Sequence, residues 1–314
     1  MECGGPAPLW PVVKWKHPAT RLDAVVREIT ADKKSVYRTT GQSAARPAHS
    51  RESPQLNEAR MEINAYLQRI NYHGSLFPSA QTLRDLQVAH LLSVPFENLS
   101  IHSAEPIVLN DDALFAKVVK RRRGGFCYEL NGLFAGLLRE LGFEVTMLSA
   151  QVANAEGVFG PDFDHMTLLV IPKNSSERWL ADVGFGDSFL EPLQLDFGRE
   201  QVQGESAYQI IEGESHLIMM QREGNDEWKA QYRFTQCPYE YADYAAMCRF
   251  HQTSPESHFT KARVCTLATP EGRITLSEMR LITTLRGHER QERLLTDDAE
   301  YALSLKEHFG IVLT

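Results

Sequence analysis

Hydrophobic residues recur with helical spacing between residues 127 and 141. The apolar positions lie three or four residues apart, which predicts one buried face of an α-helix. They are Leu130, Leu133, Phe134, Leu137, Leu138 and Leu141. Gly142 follows directly and predicts the end of the helix. Weaker patterns ahead of it predict three shorter helices, over residues 57–70, 82–93 and 111–121.

The pattern changes to that of strands at residue 143. Up to about residue 250, apolar runs are separated by short turns rich in Gly, Asn and Glu, which predicts a small antiparallel sheet or barrel. The predicted strands cover residues 143–151, 165–171, 179–183, 206–211, 216–221 and 228–234. Further strands are predicted between 251 and 290, such as 263–269 and 280–285, and a last helix from 296 to about 309.

Length and composition place the chain among ordinary globular proteins. Its 314 residues, 43% hydrophobic and 24% charged, are enough for several compact sub-domains with a substantial core. Residues 1–60 carry Pro, Gly, Ser, Thr and scattered charge without periodicity, and we interpret them as a poorly ordered extension. The remainder divides into a helical domain over 61–145, a β domain over 146–250 and a third domain over 251–314.

Charge, hydropathy and cysteine content argue against several classes of protein. The net charge of −8 argues against a generic nucleic-acid binder, which would be basic. No apolar run reaches the ~20 residues that a membrane span needs. The N-terminus lacks a signal-peptide pattern, and the five cysteines are widely spaced without a Cys-x-x-Cys pair. These features predict a cytoplasmic protein with no disulfide framework and no metal site.

Cys127 is the first candidate catalytic residue. It begins the clearest predicted helix, directly after Gly124, Gly125 and Phe126. The unpaired amides and the dipole at a helix N-terminus favour a thiolate, the reactive form of cysteine. The glycines permit a tight approach and leave backbone amides open to a bound oxyanion. The competing interpretation is a buried structural cysteine, but Cys127 precedes the apolar face of the helix.

His165 and Asp182 are candidates for a catalytic base and the group that orients it. His165 begins one apolar strand, and Asp182 lies within the next, where an unpartnered carboxylate would be costly. The two strands are joined by a predicted hairpin turn near Asn174 and Ser175. If Thr167 faces Asp182, alternation of side chains brings His165 and Asp182 to one face, on a diagonal. A register shifted by one residue would place them on opposite faces.

Five motifs occur in one order along residues 61–314. They are Val-Pro-Phe-Glu-Asn-Leu at 94–99, Arg-Gly-Gly-Phe-Cys-Tyr-Glu-Leu-Asn at 123–131, Asp-His at 164–165, Asp-Val-Gly-Phe-Gly at 182–186 and Phe-His-Gln-Thr-Ser-Pro-Glu-Ser-His-Phe at 250–259. This set resembles that of the arylamine N-acetyltransferases. The resemblance implies an α+β fold like that of cysteine proteases and transglutaminases, with an N-terminal helical bundle, a central antiparallel β-barrel and a C-terminal α/β lid.

The resemblance also implies a reaction. The co-substrate would be acetyl-CoA, with no tightly bound cofactor, and the acceptors would be arylamines, arylhydrazines or arylhydroxylamines of xenobiotic metabolism. Transfer would be ping-pong, through a thioester on Cys127, with His165 as the base and Asp182 orienting it. The protein would be a monomer or a weak homo-oligomer that acts on small molecules, with no nucleic acid or membrane as partner.

The same resemblance implies further site residues. Phe126 would line the acyl and acceptor pocket, and Glu97 and Arg123 would form an ion pair near the cysteine. The predicted CoA-binding residues are Pro161, Asp164 and Phe250. Pro161 and Asp164 belong to a loop over 157–164 whose sequence departs from the Thr or Gly found in other members of the family.

Alternatives remain open at this point. A cysteine-dependent amide synthase, a thiol hydrolase or a transglutaminase-like enzyme would use the same three catalytic residues. Gly184-Phe185-Gly186 begins like a dinucleotide-binding fingerprint, but the third glycine is absent and Pro192 interrupts any following helix. The basic run at 120–123 would suit a non-catalytic interaction protein, although the dipole at the end of a helix also explains it.

Overall fold

The computed structural model describes residues 62–285 and 289–313. The predicted extension over residues 1–60 and the first residues of the earliest predicted helix lie outside these ranges. The first part of the described chain is helical. Its elements are α1 (Ile63–Arg69), α2 (Ala80–Leu91), the short strand β1 (Phe96–Glu97), α3 (Leu99–His102), α4 (Asp111–Phe115) with a π-helical turn (Ala116–Lys120) after it, and α5 (Cys127–Glu140).

Side-chain caps define where two of these helices begin. Ser79 is the N-cap of α2, and its hydroxyl accepts a hydrogen bond from the Thr82 amide at 3.2 Å. The helix predicted to begin at Thr82 therefore begins two residues earlier. The Asn110 side chain accepts from the Ala113 amide at 2.8 Å, as the sequence predicts for the cap of α4.

Eight antiparallel strands of the described residues form a nearly closed barrel. They are β2 (Glu144–Val152), β3 (His165–Ile171), β4 (Trp179–Ala181), β5 (Leu193–Gln194), β6 (Gln201–Gln203), β7 (Ser206–Glu212), β8 (Leu217–Glu223) and β9 (Lys229–Phe234). Their order is β5-β4-β3-β2-β9-β8-β7-β6. Two glutamines bring the end strands together, because the Gln201 amide bonds the backbone of Gln194 at 2.8 and 3.0 Å and Gln203 bonds that of Glu191 at 2.9 and 2.7 Å.

The barrel has an apolar core. Buried residues of its strands and of the loop after β4 pack together, among them Leu148, Leu180, Phe189, Leu193, Ile210, Leu217, Met219 and Phe234. On one side the barrel contacts α5, whose residues are buried without interruption from Cys127 to Leu138. Burial of this helix on all sides explains why its sequence is apolar beyond a single face.

The C-terminal part contains a second sheet between two helices in the chain. Its elements are α6 (Tyr241–Thr253), a 3₁₀ turn (His258–Thr260), β10 (Val264–Thr269), β11 (Gly272–Ser277), β12 (Arg280–Leu285), β13 (Arg290–Leu294) and α7 (Asp298–Phe309). The sheet order is β1-β10-β11-β12-β13, so its first strand comes from the N-terminal part. Tyr301, Leu305 and Phe309 of α7 pack on Leu276 and Leu281 of the sheet.

The predicted α+β fold with a central antiparallel barrel is confirmed. The domain boundaries at residues 145 and 250 stay predictions. The structure corrects one region, because residues 241–250 were assigned to the strand-rich segment and instead belong to α6. The aromatic residues of this segment favour strands, so the sequence did not indicate a helix. In the structure, the buried residues Tyr244, Met247 and His251 lie three or four positions apart, on one face of α6. Within 62–285 and 289–313, no helix is long and apolar enough to cross a bilayer.

Candidate active site

Cys127 is the first residue of α5. Phe126 before it is extended, with φ −101° and ψ −173°. The Glu129 carboxylate turns back to accept a hydrogen bond from the Phe126 amide at 3.2 Å and an ion pair from Lys117 at 2.8 Å. The Phe126 amide at the N-terminus of α5 thus has a buried partner from the same helix, which holds the turn that carries Cys127 in place.

The backbone before Cys127 packs directly on the segment that contains β1. A Cβ atom at Gly124 would lie 2.0 Å from the Pro95 carbonyl oxygen, so only glycine fits there. Beside it, Arg123 and Glu97 form the predicted ion pair, with Nη2 and Oε1 2.9 Å apart and both side chains buried. This pair ties the start of α5 to β1 and confirms the contact that the sequence implies.

The β3–β4 hairpin brings His165 and Asp182 together. Three residue pairs define its register, Leu168 with Ala181, Leu169 with Leu180 and Val170 with Trp179. Continued along the hairpin, this register sets Thr167 opposite Asp182, as the sequence predicts. His165 Nε2 lies 2.7 Å from Asp182 Oδ2, and both residues are buried.

Four donors surround the Asp182 carboxylate. Oδ1 accepts from Asn131 Nδ2 at 2.8 Å and from the Gly184 amide at 2.9 Å. Oδ2 accepts from the Tyr232 hydroxyl at 3.1 Å and faces His165. Burial by itself would raise the pKa of Asp182, but the charge of His165 and these hydrogen bonds outweigh it, so the pKa is lowered. Asp182 is therefore an anion that accepts a hydrogen bond from His165 Nε2.

The Met166 amide, at the start of β3, is close enough to the Cys127 sulfur to favour its thiolate. Burial raises the pKa of the Cys127 thiol well above its usual value; the Met166 amide opposes this rise, while Asp164 and Asp182 add to it. Burial therefore opposes the effect of the helix terminus, which favours a thiolate. On the far side, a Cβ at Gly184 would lie 2.7 Å from Cys127 Cα, so the residues after β4 contact the cysteine directly.

The sequence and the fold of this chain are similar to those of known proteins. A family model described as N-acetyltransferase matches residues 79–314. The chain is 36% identical to an arylamine N-acetyltransferase of Mycolicibacterium smegmatis, over 81% of this chain and 93% of the relative. It is 32% identical to the proansamycin X synthase of Amycolatopsis mediterranei, over 76% of this chain and 94% of that enzyme. A solved structure of the Mycobacterium marinum arylamine N-acetyltransferase in complex with CoA is similar, with a TM-score of 0.74, 33% identity, and coverage of 80% of this chain and 93% of that one.

The chain belongs to the arylamine N-acetyltransferase family. It is thus an acyltransferase, and the family predicted from the sequence motifs is confirmed. The region that matches the family model begins after α1 and extends through α7.

Three polar residues contact Asp182 that were not predicted as part of the site from the sequence. Asn131 and Tyr232 donate to its carboxylate, and the Gln87 side-chain oxygen accepts from its amide at 3.1 Å. Asn131 carried a signal, because it is a polar residue four positions after Cys127 in an apolar helix. Gln87 and Tyr232 are distant in sequence, and only the fold brings them to the site.

The predicted substrate and CoA residues belong to three segments: the start of α5, the loop before β3 and the end of α6. Phe126 is fully buried, with its ring 5.5 Å from that of Phe259. Phe250, in the last turn of α6, and Pro161, in the loop before β3, are both partly exposed. The Asp164 carboxylate is turned toward α6, with Oδ1 3.3 Å from His251 Nε2.

Proposed function

We propose that this protein transfers the acetyl group of acetyl-CoA, through a thioester on Cys127, to the nitrogen or oxygen of arylamines, arylhydrazines or arylhydroxylamines. The observation that carries the proposal is the contact of His165 with Asp182 at 2.7 Å, which Asn131, four residues after Cys127 in α5, joins through its hydrogen bond to Asp182 at 2.8 Å. Acyl transfer through a cysteine requires a nucleophile, a base and a carboxylate that orients the base, and we assign these roles to Cys127, His165 and Asp182.

In the first half-reaction, Cys127 attacks the thioester carbonyl of acetyl-CoA. Because burial disfavours an isolated thiolate, the thiol proton passes to His165 and the two charges form as a pair. Asp182 holds His165 through Nε2, which leaves Nδ1 to take that proton. The bond from the carbonyl carbon to the CoA sulfur breaks, and CoA leaves as a thiol with the proton returned by His165.

In the second half-reaction, the acceptor nitrogen attacks the acetyl-cysteine. His165 takes a proton from the nitrogen, the bond between carbon and the Cys127 sulfur breaks, and the cysteine recovers its proton. A backbone amide near the helix N-terminus would stabilise the negative oxygen of each tetrahedral intermediate. Aromatic rings surround the site, with Phe185 and Tyr232 each within 5.3 Å of the His165 ring centre. They would limit hydrolysis of the thioester by water.

The CoA moiety is proposed to lie against Pro161, Asp164 and Phe250, as the family resemblance implies. The side chain of Phe126 is proposed to form part of the acyl and acceptor pocket. Support comes from the partial exposure of Pro161 and Phe250, and from the relative whose solved structure contains CoA. A cytoplasmic location, a role in xenobiotic metabolism and a monomeric or weakly associated state remain predictions.

A second candidate function is the formation of an intramolecular amide. The Amycolatopsis relative is a proansamycin X synthase at 32% identity. The same acyl-cysteine would then form from a carrier-bound or CoA-bound chain and be attacked by an amine of that chain. An acetyl-CoA assay separates the two, because release of CoA that depends on added arylamine supports acetyl transfer.

The decisive experiment is exposure of the purified protein to acetyl-CoA, followed by peptide mass spectrometry. We expect one acetyl group, on Cys127, which is lost when an arylamine or arylhydrazine is added. Cys127→Ala should abolish both labelling and CoA release. Cys237→Ala is the matched control, since this free cysteine is exposed and lies outside the site, and it should behave as the parent protein. Acetylation elsewhere, or none, contradicts the proposal.

A further inference from the structure

A second histidine–carboxylate contact lies next to the first. His251 of α6 is 1% exposed, and its Nε2 lies 3.3 Å from Oδ1 of Asp164. Its Nδ1 lies 3.0 Å from the Ser257 hydroxyl. Asp164 directly precedes His165, so this contact joins α6 to the backbone that leads into β3. The acetyl-transfer steps proposed above use neither of these two side chains.

The loop before β3 is held in a strained conformation at this contact. Phe163 has φ 63°, which is unfavourable for a bulky side chain. The Tyr128 hydroxyl donates to the Phe163 carbonyl at 2.6 Å, and the Phe163 amide donates to the Ser149 hydroxyl at 2.7 Å. The His251 ring stacks on Tyr128, with centroids 6.2 Å apart and an angle of 29°. Since Tyr128 follows Cys127, one set of contacts fixes the residues beside both Cys127 and His165.

The charge of Asp164 acts on Cys127. Its carboxylate opposes ionisation of the sulfur, in the same direction as burial. Three titratable side chains from other elements face His251, namely Asp164, Tyr128 and His258. Burial, with the nearby charge of His251, lowers the pKa of His258 to about 4, and burial raises the pKa of Tyr128 well above its usual value. Both are therefore neutral at pH 7, and Asp164 is the one carboxylate in this group.

We propose that His251 is a positioning residue of the acetyl-transfer site, whose imidazolium holds Asp164 on α6 and cancels the negative charge of Asp164 beside the Cys127 sulfur. The inference rests on the proposed function, since it concerns how the same cysteine is activated. Without the cation, a buried carboxylate would face the developing thiolate with no opposite charge next to it. His251 then acts through Asp164 and not by contact with the substrate.

The test measures the rate at which iodoacetamide alkylates Cys127 as a function of pH, located by peptide mass spectrometry. His251→Gln keeps a polar side chain but removes the cation. We expect the midpoint of its profile to move upward by about 1 in pH, with an alkylation rate at pH 7 about tenfold lower. The double variant Asp164→Asn/His251→Gln should return to within about twofold of the parent protein, because both charges are then absent. His73→Gln, at an exposed histidine, is the matched control and should not move the profile.

Two results would overturn the proposal. One is a His251→Gln profile that coincides with that of the parent protein. The other is a shifted profile that the double variant does not restore, since a merely structural role of His251 would not be repaired by removing Asp164. Melting curves recorded on each variant show whether it is folded.

A second measurement does not require His251→Gln to fold. With ¹⁵N-labelled histidine, NMR reports whether each imidazole is protonated. We expect one buried histidine of the parent protein to be cationic at pH 7 and to become neutral in Asp164→Asn. Identical histidine spectra in the two proteins would contradict the pair. Failure of the proposed function is separable, because Cys127 would then alkylate normally yet accept no acetyl group from acetyl-CoA in the same preparation.

Discussion

Asn131 Nδ2 donates a hydrogen bond to Oδ1 of Asp182 at 2.8 Å, across 51 residues of sequence. The same amide nitrogen donates to the Met166 carbonyl at 2.6 Å, and the amide oxygen accepts from the Val183 amide at 2.8 Å. One side chain, a single helical turn beyond Cys127, thus sets the distance from α5 to both strands that supply His165 and Asp182.

Asn131→Ala should impair both stability and catalysis. The Val183 amide and the Met166 carbonyl would lose buried partners, so we expect the free energy of unfolding to fall by about 2–3 kcal/mol. Asp182 would also lose a donor, so its orientation toward His165 would loosen and the rate of Cys127 acetylation should fall by about tenfold or more. Urea denaturation measures the free energy of unfolding, and quenched time-course assays measure the rate of Cys127 acetylation.

Asn98→Ala is the matched control for that prediction. Asn98 is also buried, and its amide donates to the carbonyls of Phe259 and Ala262 and accepts from the Val264 amide. We expect a similar loss of stability without a change in the pH dependence of Cys127 alkylation. If the two variants lose the same stability and also slow acetylation to the same extent, the slower rate comes from lost stability, and Asn131 does not position Asp182.

Gly184→Ala should disrupt the site by direct contact. The new methyl group would lie 2.7 Å from Cys127 Cα and 2.8 Å from Asn131 Nδ2, and the first of these is backbone that cannot move aside. We expect an acetylation rate at least about a hundredfold lower and a lower melting temperature. Gly204→Ala, where φ is +67° and no atom lies within 4 Å of the new Cβ, should lose only about 1 kcal/mol of stability and no activity. Equal activity in the two variants would contradict the prediction.

Arg123→Met should destabilise the fold strongly. It leaves the Glu97 carboxylate buried without its cation, which costs about 3–5 kcal/mol of unfolding free energy. Adding Glu97→Gln should recover a large part of that loss, since the remaining group is neutral. Lys120→Met breaks the exposed pair of Lys120 with Glu62 and should change stability by less than about 1 kcal/mol. A double variant no more stable than Arg123→Met would show that lost packing, and not charge, dominates.

His90 should make the fold sensitive to mild acid. Burial, with the nearby charge of Arg69, lowers the pKa of His90 to about 3. Because this pKa lies below the value of about 6.5 in the unfolded chain, the stabilisation is complete above pH 6.5 and is lost as the pH falls toward 3. Between pH 7.5 and 5.0 the loss from this residue is about 2 kcal/mol. His90→Gln should flatten the curve of unfolding free energy against pH by that amount, and His73→Gln should leave its slope unchanged.

The sequence predicted best those elements whose periodicity and local caps agree. The bounds of β3 and β12 match the predicted residues 165–171 and 280–285, and α5 differs from its prediction only at Leu141. The predicted helix over 111–121 became α4 and a π-helical turn, a change of hydrogen-bond pattern that hydrophobic spacing does not report. The helix α6 was missed because its buried Tyr244 packs against Tyr128 of α5 and Phe163 of the loop before β3, and local helix propensity does not report such tertiary contacts.

Some features of the candidate site could be predicted from the sequence, and others depend on the packing of distant segments. The sequence left two registers open for the hairpin, and the structure shows the one that brings His165 and Asp182 to the same face. The contact of Asp164 with His251 could not be predicted, because it depends on how α6 packs against the loop before β3. Likewise, the strong rise in the pKa of Cys127 comes from burial, which depends on the packing of three segments and not on the helix terminus alone.

The pairing of Phe96 and Glu97 with Thr266 and Cys265 has a consequence for dissection of the chain. A fragment ending before residue 241 would contain every residue of the proposed triad, yet it would expose the backbone edge of β1 and the apolar surface of Leu99. Such a truncation would be prone to self-association through that edge. Excising the carboxy-terminal quarter therefore would not yield a minimal transferase, and co-expression of the missing piece as a separate polypeptide is the natural route to complementation.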